Sequence, residues 1–302
     1  MRYLDVSGGA RLLEEEAGGA GKEGVSLRLD RVAEDIFIFV SDYYAQVTAT
    51  VLLTPQGAVV VDTMPLPREA RQVLSFVESQ LGPGAVRYVV NSHHHADHVY
   101  GNYLFEGAQI IAHDACRDIL ERLGPQSLEQ AKRDTPALAE IELRLPDITF
   151  QKELHIHLGH RHLYLFHTPG HSPDGISVFV LEEKVLIAGD AVMPVPHIAL
   201  GSPAELSESL AALKALKPAF IVQGHGNVLL RGEIDEELDG SIGYLAAIVS
   251  KVNQLVQRGD PPQKLREIDI ESCGKSRIPL DGLVSRLHLS NLVSLYKTLS
   301  RK

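Results

Sequence analysis

The sequence predicts a protein of mixed α and β class whose strands deliver histidine and aspartate to a common site. Three observations predict it. Short β-branched and aromatic runs alternate with turn residues, as in Ile36–Val40, Ala49–Leu53, Ala58–Val61 and Val86–Val90. Longer stretches with helical spacing lie between and after them. Four strand candidates end in a Gly, Pro or His-rich turn that carries a ligand-type side chain.

Residues 1–25 are Gly- and Glu-rich and read as an N-terminal arm. From Leu27 the alternation Leu27-Arg28-Leu29 opens a meander of antiparallel strands that continues through 36–40 and 49–53. The turn Thr54-Pro55-Gln56-Gly57 leads into 58–61, which ends at Asp62. Ala70, Val73, Leu74, Val77 and Leu81 give 66–81 a helical stripe, and Gly82-Pro83-Gly84 stops it. After strand 86–90, residues 96–105 open a short helix, 109–112 form a strand, 114–133 a helix and 136–146 a connection. Strands follow at 148–150, 154–158, 162–167, 176–181 and 184–188, then a helix at 203–216 and a strand at 219–222. Amphipathic helices at 235–257 and 280–299 complete the chain, their stripes suited to roofing a pocket or to a homodimer surface.

A net charge of −10 argues against a polyanionic partner such as nucleic acid. Cys116 and Cys273 sit in no paired pattern, which disfavours a disulfide framework and fits a reducing compartment. The N-terminal residues lack the apolar core of a signal peptide, and no apolar run reaches the ~18 residues of a membrane span. The expectation is a cytoplasmic protein that acts on a small molecule without a membrane partner.

The chemistry concentrates in VRYVVNSHHHADHVYGNY at 86–103. His93, His95, Asp97 and His98 offer neutral nitrogens and an anionic oxygen, which suit a first-row divalent metal. His93 and His95 project to one side of an extended backbone, whereas Asp97 and His98 are adjacent and diverge. Two diverging pairs suit two metal centres better than one. Strand 162–167 then runs into Thr168-Pro169-Gly170-His171, strand 184–188 into Gly189-Asp190, and strand 219–222 into Gln223-Gly224-His225-Gly226. Ligand sites in open α/β folds gather beyond strand ends in this manner.

These motifs resemble those of the metallo-β-lactamase superfamily. The H-x-H-x-D-H motif stands at 93–98, T-P-G-H at 168–171, G-D at 189–190 and G-H-G at 224–226. Asp62, closing VVVD, also fits. The resemblance covers about 26–230 and implies an α+β fold: a four-layer αββα sandwich of two mixed β-sheets, with 231–302 as a C-terminal helical extension. It implies that His93, His95 and His171 hold one metal and Asp97, His98 and His225 a second. Asp190 would bridge them, and Asp62 would orient a ligand from outside. The metals would be two divalent ions, zinc first, with manganese or iron as alternatives. The implied reaction is hydrolysis by a hydroxide bridging the two ions, with Asp97 and Asp190 as catalytic carboxylates and Asp97 moving protons. His197, Tyr43 and Tyr44 are candidates to line the substrate pocket. His94 lies between two ligands and should point away from them.

Within that superfamily, Asp190 argues against a true β-lactamase. The short step from Asp190 to His225 leaves no room for the inserted domain of the RNA-processing nucleases. The leading expectation is a hydrolase of a small ester, thioester or lactone. Alternatives are a mononuclear iron sulfur (persulfide) dioxygenase, a phosphodiesterase or a non-catalytic metal-binding protein.

Overall fold

The computed structural model describes residues 27–300. The arm expected over 1–25 lies outside the described residues. The first sheet takes its strands in chain order: β1 (Arg28–Ala33), β2 (Ile36–Val40), β3 (Thr48–Thr54), β4 (Gly57–Val61), β5 (Val86–Val90), β6 (Gln109–His113) and β7 (Ile148–Phe150). β1 to β4 pair antiparallel, and β4 to β7 pair parallel. The parallel half needs crossovers, supplied by helix α1 (Pro67–Leu81), the turn α2 (Ala96–Val99) and helix α3 (Asp114–Asp134). The second sheet has the order β13-β12-β11-β10-β9-β8, with β8 (Glu153–Leu158), β9 (Arg161–His167), β10 (Ile176–Val180), β11 (Val185–Ile187), β12 (Phe220–Val222) and β13 (Leu229–Leu230). It is also mixed, because β11 and β12 are parallel and the other pairs antiparallel.

Strand periodicity sorts side chains into three apolar layers. Ile36, Ile38 and Val40 of β2 face Leu163 and Leu165 of β9 and Val185 and Ile187 of β11 in the layer between the sheets. The alternate residues Phe37 and Phe39 turn outward and meet Phe76 of α1 edge-on, with ring centroids 4.9 and 5.2 Å apart. On the other sheet, Leu186 faces outward with Ile221 toward α4 (Pro203–Ala215), α5 (Ile234–Gln257) and α6 (Val284–Leu299). Helices therefore cover both outer faces, and the result is the αββα sandwich.

The two C-terminal helices spend their stripes inside this chain. Leu238, Leu245, Ile248 and Val252 of α5 and Val284, Leu292 and Leu295 of α6 are buried in the layer that also holds Leu206, Leu210 and Leu213 of α4. No helix among the described residues is long and apolar enough to cross a membrane. Both cysteines are buried and free.

Element boundaries differ modestly from expectation. Residues 96–105 form one α-helical turn and then a 3-10 turn over Tyr100–Leu104. A Cβ at Gly101 would lie 2.1 Å from the Thr63 carbonyl oxygen, so this segment is drawn against β4's exit loop instead of continuing as a helix. Strand β13 has no counterpart in the sequence pattern, since two residues carry no periodicity.

If the layer between the sheets carries the fold, Ile38→Ala should cost roughly 2–5 kcal/mol in urea unfolding. Leu230→Ala, on a residue 52 % exposed, should stay within about 0.5 kcal/mol. Similar losses in both would contradict this layering.

Candidate metal centre

Five strand ends meet at one rim of the sandwich. Asp62 follows β4, the 91–98 loop follows β5, His171 follows β9, Asp190 follows β11 and His225 follows β12. Hydrogen bonds between loops hold the rim together. The Gly224 carbonyl accepts from Thr48 N–H at 2.9 Å, and the Gln46 carbonyl accepts from Gly226 N–H at 2.9 Å. Ser92 offers its carbonyl to Ile176 N–H at 2.8 Å. The sheets are thus joined where the polar side chains converge.

Two groups form there. His93, His95, His171 and Asp190 bring one ligand atom each within 4.8 Å of one another, and so do Asp97, His98 and His225. In the first group, His95 Nδ1 lies 2.8 Å from His93 Nε2 and 3.1 Å from His171 Nε2. In the second, His225 Nε2 lies 3.3 Å and His98 Nε2 3.7 Å from Asp97 Oδ2. Asp190 divides its oxygens between them. Oδ2 faces His171 Nε2 at 3.3 Å and His93 Nε2 at 3.8 Å, while Oδ1 faces His98 Nε2 at 3.3 Å and His225 Nε2 at 3.6 Å.

Outer partners fix the imidazole protons. His171 Nδ1–H donates to the His197 carbonyl at 2.8 Å, and His225 Nδ1–H donates to the Ala45 carbonyl at 2.9 Å. Asp62 accepts from Ser92 N–H at 2.7 Å, Ser92 Oγ–H at 2.7 Å and His98 Nδ1–H at 2.8 Å. With its hydroxyl proton given to Asp62, Ser92 Oγ accepts from His93 Nδ1–H at 3.0 Å. In each of these four rings Nδ1 is thus engaged outward and Nε2 is the nitrogen that faces inward, as in metal-ligating histidines.

Charge follows the same plan. Burial opposes a charge on His225, but the Asp190 and Asp97 carboxylates prevail and push its pKa up to about 10. Burial likewise opposes ionised Asp190, yet the surrounding His225, His98 and His171 hold its carboxyl well below the usual range. His98 Nε2 and Asp190 Oδ1 are buried with no hydrogen-bond partner among the described residues. An imidazole nitrogen and a carboxylate oxygen left buried without partners, among the other His and Asp groups of the cluster, fit a divalent cation.

The candidates for the pocket wall divide. His197 stands beside the first group, its ring 5.5 Å from that of His171 and its carbonyl accepting the His171 Nδ1 proton. Tyr44 is buried in the core on the sheet-one side, and Tyr43 packs there beneath Arg68, whose guanidinium lies 4.5 Å from the ring centroid. Their loop reaches the centre through the Ala45 carbonyl. His94 points away, as expected, and pairs its Nδ1 with Asp174 Oδ1 at 2.9 Å. Asp174 is fully buried and also accepts from His94 N–H at 2.8 Å, so it ties the 93–98 loop to the one after β9. This role is not legible in the sequence, although His-Ser-Pro-Asp-Gly places Asp174 three residues beyond His171.

Known proteins resemble this chain in sequence and in fold. The profile of the metallo-beta-lactamase superfamily matches residues 43–225, and the chain belongs to that superfamily. Two curated relatives are hydroxyacylglutathione hydrolases. The one from Pelagibacter ubique (strain HTCC1062) is 27 % identical over 50 % of this chain and 54 % of its own length. The one from Acidiphilium cryptum (strain JF-5) is 25 % identical over 67 % of this chain and 75 % of its own. The chain thus matches only about half the length of the first. A solved metallo-beta-lactamase family protein from Thermus thermophilus superposes with a TM-score of 0.64 at 18 % identity, covering 86 % of this chain and 93 % of that one. That likeness shows the fold. The His/Asp cluster, together with the superfamily, implies a divalent metal.

Two substitutions test how this cluster is held. Asp62→Ala removes the acceptor of three hydrogen bonds and should weaken metal binding about 10–100-fold in a chelator competition titration. Gly224→Ala would put a Cβ 2.0 Å from Asp190 Oδ1 and 2.7 Å from the Gly189 carbonyl carbon, so it should lose metal more completely than Asp62→Ala. Wild-type affinity in either variant would contradict the arrangement.

Proposed function

We propose that this chain is a dinuclear metal hydrolase that cleaves a small ester, thioester or lactone. One observation carries the reading: the two oxygens of a single buried carboxylate, Asp190, face two separate ligand groups. His93, His95 and His171 would hold one ion and Asp97, His98 and His225 a second, with Asp190 placed between the two groups. Zinc is the leading candidate for both ions, with manganese and iron behind it. Such a pair supplies Lewis acidity and a water whose pKa falls from 15.7 towards ~7.

The chain's own groups do the rest. Asp190, surrounded by imidazoles, keeps its charge at the centre of the site. The carbonyls of His197 and Ala45 keep the Nδ1 protons of His171 and His225 on the outside, so neither Nε2 is lost to the wrong tautomer. Asp97 is the most open carboxylate of the set, with its side chain 14 % exposed. It can take a proton at a carboxylate oxygen and pass it toward solvent. No nucleophilic serine or cysteine is required.

The two hydroxyacylglutathione hydrolases favour a thioester within this range, since an S-acyl glutathione is one. The two ligand groups also favour the dinuclear hydrolase over a one-iron dioxygenase.

Elemental analysis of the purified protein should give close to two divalent ions per chain. About one ion, with no second bound under excess metal, would contradict the dinuclear reading. On zinc-, manganese- and iron-loaded protein, a panel of activated esters, thioesters, lactones and phosphodiesters should show turnover in the first three classes. Asp190→Ala should reduce that turnover by about 10²-fold or more, the scale of losing an electrostatic group central to catalysis. Wild-type-like activity in that variant would remove Asp190 from its role.

A further inference from the structure

We infer that Asn291, on the last helix, is a positioning residue for the metal centre and acts through the loop that grips His171. The inference rests on the proposed metal site for its consequence, but its geometry stands by itself. Residues 196–201 form a saddle around His171. The amides of Ala199, Leu200 and Gly201 donate to the His171 backbone carbonyl at 3.0, 3.1 and 3.1 Å. The His197 carbonyl in the same loop takes the His171 Nδ1 proton at 2.8 Å. One short segment thereby fixes both the backbone and the ring of this ligand.

The saddle is in turn held from α6. Asn291 is completely buried. Its Oδ1 accepts from Ile198 N–H at 2.8 Å, and its Nδ2 donates to the Pro196 carbonyl at 2.7 Å. These two bonds bracket His197 on either side. The second Nδ2 proton goes to the Tyr244 hydroxyl at 3.1 Å. Tyr244 donates onward to His288 Nδ1 at 2.9 Å, and His288 Nε2–H donates to the Ile268 carbonyl at 2.9 Å. The direction of every bond is determined. The Ile268 carbonyl requires a proton on Nε2, which leaves Nδ1 to accept and the tyrosine oxygen free to receive from the amide. Every donor and acceptor of Asn291 has a partner, so the amide has one orientation.

A side chain 93 residues away from Ile198 in sequence therefore sets the position of the His197 carbonyl, and through it the rotation of the His171 ring. Aspartate could not replace the amide, because it would face the Pro196 carbonyl without a proton to offer. Leucine would fill similar space and satisfy neither loop group.

Asn291→Ala should bind cobalt about 10–100-fold more weakly than the wild-type protein in a competition titration, the range for losing a partner behind a ligand. Its visible cobalt spectrum should also change. Tyr244→Phe is the control: it breaks the same buried network but leaves Pro196 and Ile198 held, so it should lower the melting temperature while keeping wild-type cobalt affinity. Asn291→Ala with wild-type cobalt affinity, or Tyr244→Phe that weakens it equally, would overturn the inference. A second readout needs no metal. In nitrogen-15 spectra of the metal-free chain, the His171 Nδ1–H signal should be protected from exchange in the wild type and in Tyr244→Phe, and lost in Asn291→Ala. If the wild-type protein binds no cobalt, the functional reading fails. The Nδ1–H signal then still decides this inference, and its persistence in Asn291→Ala would refute it.

Discussion

Asp190 is 6 % exposed and sits among four imidazole Nε2 atoms, and one of its oxygens has no hydrogen-bond partner among the described residues. Burying an ionised carboxylate is costly unless opposite charge compensates it. The neighbouring His225, His98 and His171 supply part of that compensation and hold the Asp190 carboxyl well below its usual range. A pair of cations would supply it more completely, because His98 Nε2 is also left buried and unpartnered. The remaining features of the rim follow from this one requirement. The loops must approach closely enough to share a carboxylate, and the rings must offer lone pairs instead of protons.

Backbone meets the first condition, and backbone carbonyls share the second with two side chains, Asp62 and Ser92. Gly224 lies so near Asp190 that a methyl group would collide with it, which brings β12's exit loop up to β11's. The carbonyls of Ala45 and His197 carry two of the imidazole protons. Asp62, held at a left-handed φ of 62°, turns its carboxylate under the β5 loop and gathers three donors. Such a conformation is uncommon outside glycine, asparagine and aspartate. The two sheets are each mixed, so their parallel halves bring β4, β5, β11 and β12 to the same rim.

Much of this is legible in the residues. The seven ligand candidates are readable because each sits a few positions after a short apolar strand, and that pairing of strand and turn is a local signal. Asp62 is readable for the same reason. Asn291 is not, since a single amide in a leucine-rich helix carries no local signal of a contact 93 residues away. Asp174 lies inside a recognisable motif, but its partner, His94, becomes visible only when two loops are brought together. His197 lies beside the cluster, and the backbone role of its carbonyl on His171 Nδ1 is one that a side-chain motif does not signal. The tail helices show amphipathic stripes without a destination. Only the packed layer reveals that they cover the second sheet and reach the loop beside His171.

The proposed centre has one carboxylate between two ions. It is tested most directly by a crystal structure of the metal-loaded protein, with anomalous scattering recorded at the metal's absorption edge. Two anomalous peaks are expected, one on each side of Asp190, with Oδ2 toward the His93, His95 and His171 group and Oδ1 toward the Asp97, His98 and His225 group. A single peak, or an Asp190 side chain turned away from either position, would contradict it.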